Sequence, residues 1–472
     1  MSILLVESHY RSRPWFKAIG RLGLEKVSVI SVNKGELRFL NQFFPTTHLL
    51  ITRIWDIQAT TASLLDLEGR LSALSAKYNI NFNWIIQTDR TLRKQARRKQ
   101  LDYLYEITLR VEKSLLLNRP KVVIMEATWA HEFIVDAIAS ALGIQVLCPG
   151  PVRFVNNRIL FFKGIGRKDF LLRPRTEVTE PTSARPFEQK PEEFDVLSKR
   201  NAITLAKWKT FTRLIRDYFF GYRNRFIQPS IFQEVIRKAV AIGRFYFLKL
   251  FAKLLYTSNF PNGKYVLIGL HVQPEASIDV VGHRFRDQIY FVEHLARSLP
   301  VDFTLVVKEH PHAVGSRPLS FYRRLLMTKN IQIAHLWNNN HILLRDASLV
   351  VTVAGTMSLE AANKGVKAVT AEEMFFSDGL SCRSLPDSVE DLGNAISKLL
   401  SNGNEPESNR RKMREVTAHL MKHSFPGKTS APNQDPYALS TENIENLAKA
   451  FSEVLQQFGV PCNYPAGTKE IE

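Results

Sequence analysis

The sequence is poor in cysteine and has no long uninterrupted apolar run. Its three cysteines, Cys148, Cys382 and Cys462, lie far apart in a chain of 472 residues. This spacing excludes a CxxC metal or redox motif and fits a reducing compartment. No apolar stretch approaches the roughly 20 residues that a membrane-spanning helix needs. These absences argue against a disulfide-rich scaffold and against an integral membrane protein.

Several catalytic and nucleotide-binding motifs are also missing. No GxxxxGK[ST] is present, and "GIGRKDF" (164–170) lacks the third glycine of a dinucleotide-binding turn, which argues against P-loop ATPases and dinucleotide enzymes. No Asp-x-Asp pair follows a predicted strand, no GxSxG appears, and His131-Glu132 has no second histidine at zinc spacing. We therefore predict no structural or catalytic metal and no cofactor.

Acidic residues are outnumbered by basic ones, 45 to 64, which gives a formal net charge of +19. Such a charge suits nucleic acid, anionic lipid or phosphorylated small molecules as partners. Residues 206–256 carry eleven Lys or Arg against Asp217 and Glu234, interleaved with aromatic residues and leucines at helical spacing. This pattern is typical of helices lying on an anionic membrane surface, and also of a helical layer between domains whose basic side faces water.

Apolar, β-branched runs alternate with helical patterns in two parts of the chain. The runs are residues 3–7, 27–32, 48–52, 121–126 and 144–148 in the first part, and 265–272, 302–308, 331–336, 348–355 and 366–372 in the second. This alternation predicts parallel sheets covered by helices. The chain length suits two such domains. The predicted fold is therefore α/β, with two Rossmann-like domains facing across a cleft and a basic helical segment between them.

Changes in composition give the predicted domain boundaries. They are an N-terminal domain (1–164), a linker or mobile loop rich in Pro, Arg, Glu and Thr (165–200), the basic aromatic-rich helical segment (201–260), a C-terminal domain (261–402), and a C-terminal tail (403–472) with a closing helix (441–458). The start, "MSILLVESHYRSRPWF", has no basic leader and no small-residue cleavage site. We expect it to be a first strand and the protein to be cytoplasmic.

Three polar clusters follow strands of the predicted C-terminal domain. They are "HVQPEAS" (271–277), "KEHPH" (308–312) and "GTMSLEA" (355–361). Since the carboxyl ends of parallel strands meet at one edge of a sheet, we expect the clusters to converge there. Each cluster alone is explained by a turn or a helix start, but the coincidence of three favours a ligand site.

The clusters carry groups suited to a phosphate. Gly355 allows close approach of the backbone, and Thr356 and Ser358 offer hydroxyls at the start of a helix whose amides face the same spot. Lys308 and His310 can neutralise phosphate oxygens, and Pro311 would fix the turn that aims the imidazole.

Other polar residues in the clusters suit sugar hydroxyls. Glu360 lies one turn into the helix that follows Gly355, where it can accept hydrogen bonds from a sugar or a ribose. Gln273 and Glu275 can bind hydroxyls as well, and Glu275 can take a proton from one.

Four stretches, "LHVQPEASIDVVG", "VVKEHPHAVGSR", "FYRRL" and "VTVAGTMSLEAANKGVKAV", resemble the C-terminal half of the bacterial capsule polysaccharide biosynthesis proteins, a family of two-domain glycosyltransferase-like enzymes. The resemblance is strongest over residues 265–372 and extends weakly to residues 88–93 and 122–147. It implies a GT-B-type enzyme. Members that transfer Kdo or sialic acid from CMP-activated donors use a His-Pro motif and a Ser/Thr motif on the donor phosphate, matched here by His310-Pro311 and Thr356/Ser358.

The sequence departs from the Kdo-transferring members in two places. The first departure is that Lys308 and Glu309 precede His310-Pro311. The second is the Gln-Pro-Glu-Ala stretch (273–276). We place Lys308 and Glu309 in the predicted donor site. CMP, UDP and GDP all stay open as the donor nucleotide.

These observations predict a metal-independent glycosyltransferase with a nucleotide-sugar donor in the C-terminal half. The acceptor, a capsule-type polysaccharide or its lipid-linked precursor, is expected in the N-terminal half. Lys308, His310 and the helix after Gly355 would stabilise the leaving phosphate. Candidates for the base that activates the acceptor hydroxyl are Glu7, Asp89, Glu126 and Glu275. Glu126 and Glu275 rank first because the resemblance reaches their surroundings, whereas Glu7 and Glu126 also suit helix capping.

Two other classes of function stay open. One is a non-catalytic scaffold of a polysaccharide assembly complex that keeps the fold without turnover. The other is a basic nucleic-acid-binding protein, which predicts basic residues in a groove or on a recognition helix. Because the bases gather instead in the aromatic-rich residues 206–256, we expect an anionic membrane surface as the partner of that segment, a location peripheral to the inner face of the membrane, and no nucleic acid.

Overall fold

A computed structural model describes most of the chain. The described residues are 3–8, 11–44, 49–57, 59–173, 231–257, 260, 264–310, 313–335, 338, 340–386, 388–403, 405–432 and 435–464. Residues 174–200 of the predicted linker, residues 201–230 of the predicted basic segment, and Pro311 lie outside this set. The described chain forms two compact α/β units, one made of residues 3–173 and 421–464 and the other of residues 231–420.

The first unit is built on a seven-stranded sheet. Its strands are β1 (Ile3–Val6), β2 (Val27–Ser31), β3 (Leu49–Arg53), β4 (Val122–Ile124), β5 (Gln145–Pro151), β6 (Arg158–Lys163) and β12 (Phe425–Pro426), in the order β12-β6-β5-β4-β1-β2-β3. Strands β1 to β5 pair in parallel, and β6 and β12 are antiparallel to their neighbours. The chain runs from β1 outward to β3 and then returns to β4 on the other side of β1. The strand order therefore reverses between β1 and β4.

Helices cover the sheet of the first unit. They are α1 (Arg13–Ile19), α2 (Lys34–Leu40), α3 (Leu64–Tyr78), α4 (Phe82–Thr88), α5 (Arg97–Asn118), α6 (Ala130–Ala141) and α15 (Thr441–Gln457). Helix α3 begins with a Ser63–Asp66 capping box and ends at Asn79 in the left-handed conformation (φ 53°), which Asn tolerates better than most residues.

The C-terminal helix α15 completes the core of the first unit. The Ser440 side chain caps it by accepting a hydrogen bond from the Asn443 N–H. The Phe451 ring packs against Trp15 and Phe161, with ring centroids 6.4 and 5.0 Å away. The closing helix predicted over 441–458 is thus present as Thr441–Gln457, and its apolar face is buried against elements near the start of the chain.

Residues 164–173, where the predicted linker starts, fold back along β6. The Lys163 N–H donates to the Asp169 carbonyl (2.9 Å), and the Leu171 N–H donates to the Phe161 carbonyl (2.8 Å). The Arg173 guanidinium donates two hydrogen bonds to Glu453 (2.7 and 2.8 Å). These nine residues, 165–173, therefore pack as part of the first unit, because they pair with β6 and with α15.

The second unit has a five-stranded, wholly parallel sheet. Its strands are β7 (Tyr265–Gly269), β8 (Thr304–Lys308), β9 (Ile331–Ile333), β10 (Leu349–Thr352) and β11 (Ala368–Thr370), in the order β11-β10-β7-β8-β9. Each lies within a run predicted from the sequence. The order reverses between β7 and β10. Two sheets of this kind confirm the α/β class with two Rossmann-like units, while the cleft between the units stays a prediction.

The helices of the second unit include part of the predicted basic segment. They are α7 (Ile231–Leu250), α8 (Ala252–Leu255), α9 (Gln288–Arg297), α10 (Leu319–Met327), α11 (Asn340–Arg345), α12 (Met357–Asn363), α13 (Val389–Ser401) and α14 (Pro406–His423), with a π-helical turn at Ser277–Val281. Phe245 and Leu248 of α7 are buried in the same core as β7, β8 and β10. Among the helices that the structure describes, none is both long and apolar enough to cross a bilayer.

Candidate active site

Each sheet has a switch point, where the strand order reverses. In open parallel sheets, ligands bind outside the carboxyl ends of the two strands at such a point, because the loops that leave them diverge and open a crevice. In the second unit these strands are β7 and β10, and in the first unit they are β1 and β4.

His271 joins the two strand ends at the switch point of the second unit. Its Nε2 atom accepts a hydrogen bond from the Ala354 N–H (3.2 Å). Its main-chain N–H donates to Gln288 Oε1 (2.8 Å), and its carbonyl oxygen accepts from Arg317 Nη2 (2.6 Å). Because Nε2 accepts, the ring proton of the neutral imidazole is on Nδ1. His271 was not among the predicted site residues, although it lies two residues after β7 and begins one of the three polar clusters.

Gly355 and Thr356 lie immediately after β10, beside His271. A Cβ atom at position 355 would stand 3.3 Å from both His271 Cε1 and Thr352 Cβ, so glycine lets these two side chains pack closely against the backbone. Thr356 is half-buried, and its side chain makes no capping hydrogen bond to α12. By contrast, Ser358 is buried and its hydroxyl donates to the Gly355 carbonyl (2.8 Å). Thr356 is thus placed to offer a hydroxyl to a ligand, whereas Ser358 holds the turn.

Gln273 and Glu275 lie in the loop that follows β7. Gln273 Nε2 donates to Asp279 Oδ1 (3.1 Å) and to the Arg286 carbonyl (3.2 Å), and the Glu275 N–H donates to Asp279 Oδ2 (3.0 Å). The buried Asp279 belongs to the π-helical turn, a feature that is frequent at functional sites. The Gln273 amide is therefore used to shape the loop, while Glu275 is exposed.

Lys308 and Glu309 at the end of β8 are buried. Lys308 Nζ donates to the His335 carbonyl (2.7 Å) and the Asn338 carbonyl (3.4 Å). The Tyr322 hydroxyl lies 2.8 and 2.7 Å from the two oxygens of Glu309. Burial and the neighbouring Glu309 raise the pKa of Tyr322, so the hydroxyl keeps its proton and donates. Lys308 and Glu309 therefore support the strand end. To contact a phosphate, Lys308 would have to give up its hydrogen bonds to the His335 and Asn338 carbonyls.

His310, the next residue, is exposed. It follows β8, which is adjacent to β7 on the side away from β10. Of the residues in the 308–312 cluster that the structure describes, His310 is the one that solvent reaches. Glu360 is half-buried in the first turn of α12.

Arg284 adds a positive charge at the same edge. Its guanidinium donates to both oxygens of Glu372 (2.8 and 2.9 Å), which lies two residues after β11. Glu372 is buried, but the Arg284 side chain is 45% exposed and so keeps contact with solvent. This arginine was not predicted from the sequence, because its position depends on a pairing across 88 residues.

At the switch point of the first unit, the carboxylates of Glu7 and Asp89 are bound to the backbone. Glu7 Oε2 accepts from the Ser31 hydroxyl (2.9 Å) and the Val32 N–H (2.7 Å). Asp89 Oδ1 accepts from the N–H groups of Thr91 and Leu92 (2.8 Å each), and Oδ2 accepts from Ala130 N–H (2.9 Å) at the start of α6. These contacts fit carboxylates that hold loops and cap helices.

His131 lies beside Glu7 as a neutral imidazole. Its Nε2 atom is 3.0 Å from the main-chain oxygen of Glu7, and because a carbonyl oxygen can only accept, Nε2 carries the proton. Burial lowers the pKa of His131 to about 4. His131 is therefore uncharged at neutral pH and does not supply a positive charge to the site.

Glu126 differs from Glu7 and Asp89 in its surroundings. It lies two residues after β4, is buried, and has Arg11 Nε 3.0 Å from its Oε2 atom. Within the described part of the chain this ion pair lacks hydrogen-bond geometry, and neither oxygen of Glu126 accepts a hydrogen bond. A buried carboxylate with unused oxygens is a stronger candidate for chemistry than one that caps a helix.

Glu132, which the sequence analysis considered only as half of a zinc motif, lies close to Glu126. Its Oε2 atom accepts from the N–H groups of Thr128 (2.6 Å) and Trp129 (2.9 Å). Burial, and then the charge of Glu126, raise the pKa of Glu132 to about 8. Glu132 is therefore protonated and uncharged at neutral pH. It places no second negative charge beside Glu126.

Metal binding has no evident site in the described chain. Over those residues, no group of three or more His, Cys, Asp or Glu side chains could hold a metal ion.

No protein-family model matches this chain, and no curated protein matches it. The solved structures that it is similar to include two UDP-GlcNAc 2-epimerases. The enzyme from Methanocaldococcus jannaschii is 15% identical, with 88% of this chain and 99% of that chain covered and a TM-score of 0.24. The enzyme from Neisseria meningitidis bound to UDP-GlcNAc is 13% identical, with 97% and 100% covered and a TM-score of 0.26.

A third similar structure is Thermosulfurimonas dismutans KpsC, beta Kdo 2,4 transferase. It is 14% identical, with 62% of this chain and 87% of that chain covered and a TM-score of 0.30.

Proposed function

We propose that the protein is a GT-B-type glycosyltransferase that takes a sugar from a nucleotide-activated donor bound at the carboxyl edge of the second sheet. The observation that carries the proposal is the His271–Ala354 hydrogen bond at the switch point, with the His271 ring packed against Gly355. The motif resemblance of residues 265–372 supports the same site. CMP, UDP and GDP remain candidate nucleotides.

The donor phosphate is the centre of the proposed site. His310 and Arg284, both exposed at this edge, would supply positive charge, that of Arg284 being partly offset by its ion pair with Glu372, and the Thr356 hydroxyl would donate a hydrogen bond. Gly355 lets a phosphate approach the main chain. In the proposed reaction the bond between the anomeric carbon and the phosphate oxygen breaks and its electron pair stays on the phosphate, so fixed positive groups there stabilise the transition state.

Other groups at this edge would bind the sugar and the ribose. Glu360 and Glu275 are assigned to hydroxyl groups, and Gln273 positions the loop that carries Glu275. Lys308 and Glu309 are assigned to support of the strand end under His310, and a direct contact of Lys308 or Glu309 with the donor stays a prediction. The proposed reaction needs no metal.

The acceptor hydroxyl is proposed to bind at the switch point of the first unit. There it loses its proton to Glu126 as its oxygen forms the new bond to the anomeric carbon. Protonated Glu132 would keep the negative charge on Glu126. Glu275 is the alternative base. We propose a capsule-type polysaccharide or its lipid-linked precursor as acceptor, at the cytoplasmic face of the membrane, in line with the motif resemblance.

The test is a thermal-shift screen of the purified protein with CMP, UDP, GDP, dTDP and ADP, each with and without Mg²⁺. One nucleotide is expected to stabilise the protein regardless of metal, by about 2.7 kcal/mol at a concentration one hundred times its Kd. His310→Ala and Thr356→Ala should lose this response.

The control is His419→Ala, which removes another exposed histidine from helix α14 and should respond like the wild type. If no nucleotide stabilises the wild type, the proposal fails, and the hypothesis of a non-catalytic scaffold in a polysaccharide assembly complex replaces it. If a nucleotide binds but donor turnover and donor hydrolysis are both absent, the site binds nucleotide without being a transferase.

A further inference from the structure

Helix α7 (Ile231–Leu250) has one face packed into the second unit. Phe245 and Leu248 are buried on that face. A Cβ atom at Gly315 would lie 2.3 Å from the Ala241 carbonyl and 2.9 Å from the Phe245 nitrogen, so the turn at 313–316 touches the helix backbone. This close packing fixes which side chains of α7 point inward and which point away from the unit.

The opposite face of α7 and α8 is apolar and exposed. Its side chains are spaced by three, four or seven residues and so lie along one stripe. The members of this outer stripe are Phe232, Ile236, Val240, Phe247, Leu250 and Leu254, with exposed fractions from 43% for Phe247 to 78% for Leu250 and Leu254. Single exposed apolar side chains are ordinary, but a continuous stripe on one helix face marks an interaction surface.

The outer stripe is flanked by positive charge. Arg237, Lys249 and Lys253 are exposed, and Lys238 and Arg244 are half-buried on the same two helices. Over residues 231–255 the sequence has one acidic residue, Glu234, which is buried and accepts from the Arg237 guanidinium (2.7 Å). The surface thus combines an apolar stripe with cationic sides and has no exposed anion of its own.

The apolar stripe and its cationic sides together indicate which kind of partner binds this surface. A second apolar helix would fill the stripe but would bring no anionic group to the exposed Lys249 and Lys253. Anionic lipid satisfies both features, because acyl chains receive the apolar side chains while headgroup phosphates lie beside the lysines and arginines. Aromatic side chains such as Tyr246, Phe247 and Phe251 belong to the residue types that favour the boundary between headgroups and acyl chains.

We propose that the outer stripe docks the protein on a membrane surface that contains anionic lipid. The inference goes beyond the proposed function, because it requires neither nucleotide binding nor sugar transfer. It also fits the position of α7 within the second unit. The turn at 313–316 that packs on α7 follows His310 and the end of β8, so the docking face and the candidate donor site belong to one unit.

The experiment is co-sedimentation of the full-length protein with vesicles of phosphatidylcholine alone or mixed with phosphatidylglycerol. The wild type is expected to bind the mixed vesicles and to be released by high salt, because surface charges are screened. The variant Leu250→Ser/Leu254→Ser should bind at least about tenfold more weakly. In the wild type both leucine side chains would leave water for the acyl chains, and the variant loses this favourable burial. Lys249→Glu/Lys253→Glu should lose the preference for anionic vesicles.

The matched control is Leu65→Ser/Leu117→Ser, which changes two leucines of the first unit with exposed fractions of 79% and 73%. It should bind vesicles like the wild type. Circular dichroism and thermal melting of every variant establish that exposed positions were changed without loss of the fold.

Three results would overturn the proposal. They are equal binding of the wild type to neutral and mixed vesicles, no vesicle binding at all, and unchanged binding of Leu250→Ser/Leu254→Ser. Sedimentation velocity adds a fourth: a wild-type dimer that the stripe variant converts to monomer would show a second copy to be the occupant. None of these results bears on the nucleotide screen, so the two proposals fail separately.

Discussion

The Nε2 atom of His271 and the main-chain N–H of Ala354 form a 3.2 Å hydrogen bond across 83 residues of sequence. The bond ties the end of β7 to the end of β10, the two neighbouring strands between which the sheet order reverses. The acceptor for this buried N–H is a side chain. The crevice at this point is therefore held by a contact that one substitution can remove.

His271→Ala should destabilise the second unit and weaken nucleotide binding together. The substitution removes the hydrogen bond that the buried Ala354 N–H donates to the imidazole, which costs about 0.5–1.5 kcal/mol. Urea unfolding measures the free energy, and the thermal-shift response to the nucleotide measures binding. A variant as stable as His419→Ala with the wild-type nucleotide response would show that this contact matters to neither.

A second prediction concerns the support beneath His310. Tyr322→Phe removes the hydroxyl that donates to buried Glu309 and should lower the free energy of unfolding by about 1–3 kcal/mol, because a buried carboxylate loses a hydrogen bond. Arg317 Nε, 3.3 Å from Glu309, remains as its ion-pair partner. Tyr290→Phe is the matched control at an exposed tyrosine and should change stability by less than about 0.5 kcal/mol. Equal effects of the two variants would remove the supporting role of Tyr322.

The pH dependence of stability should identify the protonated Glu132. Its folded pKa of about 8 lies above the ordinary 4.5, so between these values the folded chain holds a proton that the unfolded chain has released. Stability therefore falls as pH rises through this window, by up to about 1.4 kcal/mol per pH unit. His131, whose folded pKa is lowered to about 4, has the opposite slope below its ordinary 6.5 and offsets Glu132 there. Between pH 6.5 and 8, the slope of stability against pH therefore reflects Glu132 without this offset from His131.

Glu132→Gln should flatten the curve in that window, because glutamine does not titrate. Urea unfolding of the wild type and the variant at several pH values measures the two slopes. Parallel slopes would mean that Glu132 is ionised in the folded protein.

The strands were predictable because each is a short apolar run between turn residues. All ten predicted runs overlap an observed strand, from β1 to β5 and from β7 to β11, and β3 and β5 extend past the ends of their runs. Strands β6 and β12 were not predicted. The two residues of β12 carry no signal of their own, and their pairing with β6 joins Phe425 to Ile159, which only the folded chain brings together. The return of the C-terminal segment to the first unit escaped prediction for the same reason.

The candidate site was predictable in position but less so in detail. The rule that ligands bind at strand ends selected the segments that begin at His271, Lys308 and Gly355, and all three follow strands of one sheet. Sequence could not separate side chains that face a ligand from those that support the fold. Lys308 and Glu309 have the chemistry of ligands but are buried in contacts with distant residues. The position of Arg284 at the carboxyl edge of the second sheet could not be predicted, because it depends on the ion pair with Glu372.

The last prediction concerns the base. Glu126→Gln keeps the shape of the side chain and removes its ability to take a proton, so kcat should fall by about 10² to 10⁴ while the KM for the donor changes little. The pairing with Arg11 is lost as well, so stability is measured in parallel and kcat is expressed per folded protein. Glu7→Gln is a comparison at a neighbouring strand end. Its carboxylate accepts from Ser31 and Val32, so it should lose stability more than turnover.

Glu275→Gln decides the outcome if Glu126→Gln retains turnover. Glu275 is exposed, and its main-chain carbonyl, which accepts from the Asp279 N–H (2.8 Å), is kept in the variant, so replacing the side chain should leave stability unchanged. A large loss of kcat in Glu275→Gln with normal turnover in Glu126→Gln would move the base to the second unit. The acceptor hydroxyl would then have to reach the loop after β7, and the carboxylates at the first switch point would keep only their roles in holding loops and helices.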